Sequence, residues 1–110
     1  MADFTVSSLL ALPVRLHGIQ LGRPVDVLVD ARGERVVGLE VLCGDGARRF
    51  LPFTVARIRP DEIAVESALM LLDERDLEYY RARTRRLADA MLVDARIDER
   101  GVLAGARTAA

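Results

Sequence analysis

The 110-residue chain contains no lysine, no asparagine and no tryptophan, and it has a single cysteine. All 16 basic side chains are therefore arginine, a pattern that codon usage in a GC-rich genome explains more simply than function does. The lone Cys43 excludes an internal disulfide. It reads as a small strand hydrophobe in a reducing compartment. Aromatic residues are scarce: Phe4, Phe50, Phe53, Tyr79 and Tyr80 are the whole set, so a core must be built from Val, Leu and Ile. Charge of one sign is not in excess either. Sixteen basic residues face 17 acidic ones, for a net charge of −1. That balance excludes a generally basic coat for nucleic acid and an acidic tail. No uncharged stretch reaches the ~20 residues that span a bilayer. The first residues lack a basic segment and carry Asp3, so no signal peptide is expected and a cytoplasmic location is the simplest reading.

What is present is a chain 51% apolar and 30% charged, the composition of one folded domain with an extension. Leu21 to Asp30 alternates, with Val25, Val27 and Val29 on one face and Asp26 and Asp30 on the other, the period of a half-buried strand. A turn around Gly33 leads into a second strand, Arg35 to Cys43, in which Gly38 marks a bulge or sharp bend. Cys43-Gly44-Asp45-Gly46 is a hairpin turn. Pro52 interrupts a third apolar run, Arg48 to Ile58, and predicts an edge or a corner between two strands. Arg59-Pro60-Asp61-Glu62 is a further turn, followed by a short strand from Ile63; Val14 to His17 is another candidate strand. Short strands at this spacing, in about 60 residues, predict a small β-barrel of about six strands, which also removes exposed edges.

The pattern changes after Leu72. Asp73 is placed to N-cap a helix whose first turn is acidic. Leu77, Tyr80, Thr84, Leu87, Ala88 and Met91 recur at three- and four-residue spacing, one stripe of an amphipathic helix. Beyond it, Leu92-Val93-Asp94-Ala95-Arg96 repeats Leu28-Val29-Asp30-Ala31-Arg32 letter for letter. A second strand–turn–strand unit, turning at Asp98-Glu99-Arg100-Gly101, is therefore expected. The resulting division is residues 1–72 for the barrel and 73–110 for the helix and hairpin.

Candidate chemistry is sparse. The single His17 stands beside Gly18 in a turn, without the neighbours of a metal site. Ser7-Ser8 has no partner base at triad spacing. The glycines form no phosphate-binding fingerprint. Asp26 and Asp30 lie on one strand face, with Glu40 of the next strand a candidate to stand across from them; the group reads as solvated barrel exterior, with cation binding as the alternative. Arg81, Arg83, Arg85 and Arg86 could contact phosphates, but flanking acids neutralise the segment and no aromatics interleave it. Neither catalytic residues nor a cofactor or metal is expected.

The ordered strand motifs resemble the PRC-barrel family. Leu21-Gly22-Arg23-Pro24-Val25-Asp26-Val27-Leu28-Val29-Asp30 looks like its signature strand, and Val36-Val37-Gly38-Leu39-Glu40-Val41 looks like its second. Arg49-Phe50-Leu51-Pro52-Phe53 is similar to its Leu-Pro-aromatic corner, and Ile63-Ala64-Val65 with Ser67-Ala68-Leu69 to its closing strand. The resemblance covers roughly residues 9 to 72. It implies a six-stranded barrel and a role as a protein-interaction or assembly module, since members include a reaction-centre subunit domain and a ribosome-maturation factor domain. The helix and hairpin after Asp73 lie outside the single-barrel pattern. Their apolar stripe, Leu77, Tyr80, Leu87 and Met91, must bury somewhere, which leads to the expectation of a protein partner or a homodimer formed through residues 73–110. The alternative is an RNA- or ribosome-associated factor using the arginine cluster.

Overall fold

The structure is a computed structural model that describes residues 4–30, 32, 35–86, 96–98 and 100–104. Its centre is a hairpin of two long strands, β3 (Ile19–Val29) and β4 (Val36–Cys43). Val27 and Val29 of β3 with Leu39 and Val41 of β4 keep the expected inner face, whereas register shifts at Pro24/Asp26 and Leu28/Val29 interrupt the alternation, and Val25 does not join the core. The strands before and after them are β2 (Val14–Leu16), β5 (Arg48–Pro52), β6 (Arg57–Ile58) and β7 (Ile63–Val65). Together they form a mixed sheet in the order β5-β4-β3-β2-β7-β6, antiparallel except for the parallel pair β2–β7. Among the described residues no ladder joins β5 to β6, so the hydrogen-bonded path stays open.

Local chemistry accounts for most of the punctuation. His17 and Gly18, at φ 49° and 82°, join Leu16 to its partner Ile19 in the left-handed pair that a two-residue type I′ hairpin turn needs. Pro52 ends β5, and the chain turns through a short 3-10 segment, Phe53–Val55, into β6, so the proline corner is as expected. The Arg59 amide donates to the Glu62 carbonyl and closes the β6–β7 turn. Gly38 sits at an irregularity: Leu28 pairs with Gly38 but Val29 pairs with Val36, leaving Val37 as the extra residue of a bulge. The turn glycine Gly33 lies outside the described residues.

One main core cluster draws on almost every element. Val14, Val27, Val29, Leu39, Val41, Leu51, Ile63 and Val65 meet Val6 and Leu9 of a short helix, α1 (Val6–Leu10). The sequence pattern did not single out this helix. Its signal is a capping box: the Ser8 amide donates to Thr5 Oγ1 while the Thr5 amide donates to Ser8 Oγ. Ser8, weighed above for catalysis, is thus a capping residue.

The C-terminal hairpin is present. Strands β9 (Arg96–Ile97) and β10 (Leu103–Ala104) pair antiparallel around a turn in which the Asp98 carboxylate accepts from the Arg100 and Val102 amides. On its other side β9 pairs with β1 (Phe4–Thr5), giving a small three-stranded sheet in the order β1-β9-β10. Ile97 is fully buried in the main core, and the Val36 amide donates to the Gly101 carbonyl. The described part of this hairpin therefore packs on its own chain.

Two expectations need correction. The helix that begins after the Asp73 cap, α2 (Glu74–Arg81), ends at Arg81 and does not run on to Met91. The Thr84 hydroxyl donates to the Tyr80 carbonyl and Arg83 Nη1 to the Tyr79 carbonyl, satisfying groups left over at the helix end. Arg85–Arg86 then form β8, which pairs with Leu28 and Val29. The reason lies in β3. Its first residues pair with β2, but β2 is short, and the same edge of β3 stays open at Leu28–Val29 until β8 takes it. Leu87 and Met91 lie outside the described residues.

The second correction concerns Asp26 and Glu40. They are not solvated exterior: Asp26 is 5% exposed and Glu40 1%. Leu28 and Phe50, on the same outer face of the sheet, are covered by Leu77 of α2, with Val37, Leu72 and Tyr80 around them. Both faces of the β3–β4–β5 region are thus buried, and strict alternation of apolar and polar residues gives way to apolar residues on both sides.

Candidate functional site

Glu40 is the most deeply buried charged residue among those described, and it receives two guanidinium groups. Arg81 of α2 donates from Nε to Oε1 at 2.9 Å and from Nη2 to Oε2 at 2.8 Å, a bidentate pair. Arg48 of β5 donates from Nη1 to Oε2 at 2.8 Å. The bond to Glu40 holds the Arg81 guanidinium above the ordinary arginine value against the opposing effect of burial, and Glu78 and Asp26 add to it. Asp26 lies directly across the ladder from Glu40, and its Oδ1 accepts from the Val27 amide at 2.8 Å. Two carboxylates side by side under a helix require cations nearby, and the strands and α2 supply them. This arrangement orients a helix on a sheet. Its chemistry is that of an ion-pair clamp.

The arginine cluster is divided. Arg81 is committed to Glu40, while Arg83 lies 3.7 Å from the centre of the Tyr79 ring. Arg85 and Arg86 are strand residues. Of the predicted apolar stripe, Leu77 is 1% exposed between Leu28 and Phe50, and Tyr80 stacks on Phe50. These two side chains are satisfied within the chain.

The apolar surface that remains is elsewhere. Among the described residues the large hydrophobic side chains left in solvent are Ile19 at 68% exposure, Leu69 at 87% and Tyr79 at 53%. Ile19 immediately precedes Gln20, and Leu69 immediately follows Ala68; Gln20 and Ala68 line a groove of about 420 Å³ together with Leu21, Cys43 and Leu71. Asp45 and Arg49 form the polar rim in a two-point pair, Nη1 to Oδ1 at 3.1 Å and Nη2 to Oδ2 at 2.9 Å. The bond to Arg49 pulls the Asp45 carboxyl down from 3.8 to about 2. Sequence reasoning missed Ile19 and Leu69. A signal existed in Ala68-Leu69-Met70-Leu71-Leu72, which holds more apolar residues than one strand face can bury.

Among the described residues no group of three or more His, Cys, Asp or Glu side chains is placed to hold a metal ion, and no helix is long and apolar enough to cross a membrane. Compared with known proteins, the chain matches no protein-family model and no curated sequence.

Proposed function

We propose that this protein is a non-catalytic interaction module of the PRC-barrel type, docking a protein partner at the groove between Leu21 and Leu71. The observation that carries the reading is the exposure of Leu69 and Ile19, the chain neighbours of the groove-lining Ala68 and Gln20. Large apolar side chains in solvent beside an apolar-lined concavity are the usual mark of a protein contact. A partner inserting an apolar side chain there would cover Leu69 and Ile19, while the Asp45–Arg49 pair stays at the rim, where paired charges orient more than they bind. The barrel form is supported by the main core cluster, to which β2, β3, β4, β5 and β7 all contribute, as a curled sheet requires.

A photo-crosslinking residue at position 69 tests this in cells of the native host, against the same group at exposed Asp61 as a control. The expected result is one discrete protein adduct at position 69, absent at position 61 and lost when Ile19→Asp is added. An adduct of the chain with itself would identify the partner as a second copy, the homodimer case. Identical adducts at both positions, or none at position 69, would overturn the proposal.

A further inference from the structure

The second core cluster is small and separate. Leu28, Phe50 and Leu77 are its buried members, and the main cluster contains no residue of α2. Helix α2 is eight residues long, too short to hold helical form without the surface it lies on. That surface has three distinct features. An apolar seat between Leu28 and Phe50 takes Leu77. The Phe50 ring, set low against Gly38, offers its face to Tyr80 at 4.1 Å between centroids. Glu40, 1% exposed, takes the Arg81 fork. Leucine, tyrosine and arginine at i, i+3 and i+4 fall on one helix face, so a single turn of helix engages all three.

We infer that the outer face of the sheet is a helix-receiving cleft, and that α2 is its resident occupant, displaceable by a partner helix carrying an apolar residue, an aromatic residue and an arginine at i, i+3 and i+4. The inference stands on this cleft alone and is independent of the groove beside Leu69. The specificity is read from the segment already seated there. The face of Phe50 that Tyr80 covers in a parallel stack calls for a flat ring, and the buried carboxylate calls for a guanidinium, because an ammonium lacks the two-point fork. Displacement leaves the main cluster intact, since α2 contributes nothing to it. A tethered helix competes at an effective concentration of about millimolar, so a partner present at about micromolar concentration must bind the open cleft roughly a thousandfold more tightly than α2 itself does to displace it.

A fluorescent peptide of residues 71–86 is the probe, titrated into the full chain and into the full-length variant Leu77→Ala, Tyr80→Ala, whose own helix is weakened. The variant is expected to bind the peptide at least tenfold more tightly than the unmodified chain does, and a peptide carrying Arg81→Ala is expected to lose at least tenfold. Equal binding by both proteins, or no loss with the altered peptide, would overturn the inference. Hydrogen exchange on the unmodified chain decides the matter if the variant does not fold. Amides of α2 are expected to exchange at least tenfold faster than those of β4, by an opening that spares the sheet. Equal protection would mean that α2 leaves only when everything unfolds, and the cleft would not exist as a separate site.

Discussion

The ring of Phe50 on β5 lies face to face with the ring of Tyr80 on α2, with centroids 4.1 Å apart and planes 10° from parallel. The stack is possible because of a residue on the neighbouring strand. A Cβ at Gly38 would stand 2.5 Å from the Leu51 carbonyl oxygen and 2.6 Å from Phe50 Cε1. Gly38→Ala is therefore expected to push the ring off its seat and to destabilise the fold by about 2 kcal/mol, the range of an overpacked core. Urea unfolding checks it. Adding Phe50→Leu should recover part of the loss in the Gly38→Ala background, whereas alone it should only destabilise.

The Glu40–Arg81 pair should behave as a coupled unit. Arg81→Ala removes two hydrogen bonds to a carboxylate that is 1% exposed, whereas Arg48→Ala removes one from a side chain 52% exposed. The expected costs are about 2 kcal/mol for Arg81→Ala and about 1 kcal/mol or less for Arg48→Ala. Arg81→Lys should not rescue, because it lacks the fork. In a double-mutant cycle with Glu40→Gln, a coupling of about 1 kcal/mol or more is expected between positions 40 and 81. A coupling near zero would show that the helix is held by Leu77 and Tyr80 alone.

Three solvent-accessible carboxylates are expected to make the fold acid-sensitive. Asp45 is lowered by Arg49, Asp73 by the Asp76 amide it caps, and Asp98 chiefly by the Val102 amide. A carboxyl whose folded value is depressed binds protons more readily when unfolded, so it stabilises the fold above the ordinary carboxyl range and stops doing so as pH falls through its folded value. For Asp45 that window runs from 3.8 down to about 2. Thermal unfolding followed from pH 6 to pH 2 should show Tm falling most steeply below about pH 4. Asp45→Asn should flatten the Asp45 part of the curve, and salt at about 1 M should shrink the Asp45–Arg49 contribution, since both groups meet solvent.

His17 adopts φ 49°, a conformation that costs a residue with a Cβ about 1 kcal/mol or more, and it is followed by Gly18. His17→Asn gives the Asn-Gly pair that type I′ turns favour and is expected to stabilise by about 0.5 kcal/mol. His17→Val should destabilise by about 1 kcal/mol, because a branched Cβ fits the left-handed region poorly. Calorimetric Tm values for the two variants should bracket that of the unmodified chain.

The strands were legible because their causes are local. Alternating Val residues define β3 and β4, Pro52 forces a corner, and Gly18 and Gly46 permit turns with positive φ. Asp73 caps α2 through the Asp76 amide three residues on, and Asp98 shapes the last hairpin through amides two and four residues away. Each of these depends on side chains within one turn of the chain, so sequence alone decides it.

The length of α2 and the fate of Glu40 were not legible. The stripe from Leu77 to Met91 has helical spacing, yet the chain leaves the helix at Arg81 because an open strand edge at Leu28 and Val29 offers Arg85–Arg86 backbone partners. Period-two alternation marks Glu40 as a solvent-facing residue, yet it is buried because Arg81, 41 residues further along, closes over it. Sequence by itself determined a β-rich chain with a capped helix and a terminal hairpin. Only the tertiary structure decided which face the helix covers, where the helix stops and which apolar side chains are left to solvent, because those outcomes depend on edges and charges brought together from distant parts of the chain.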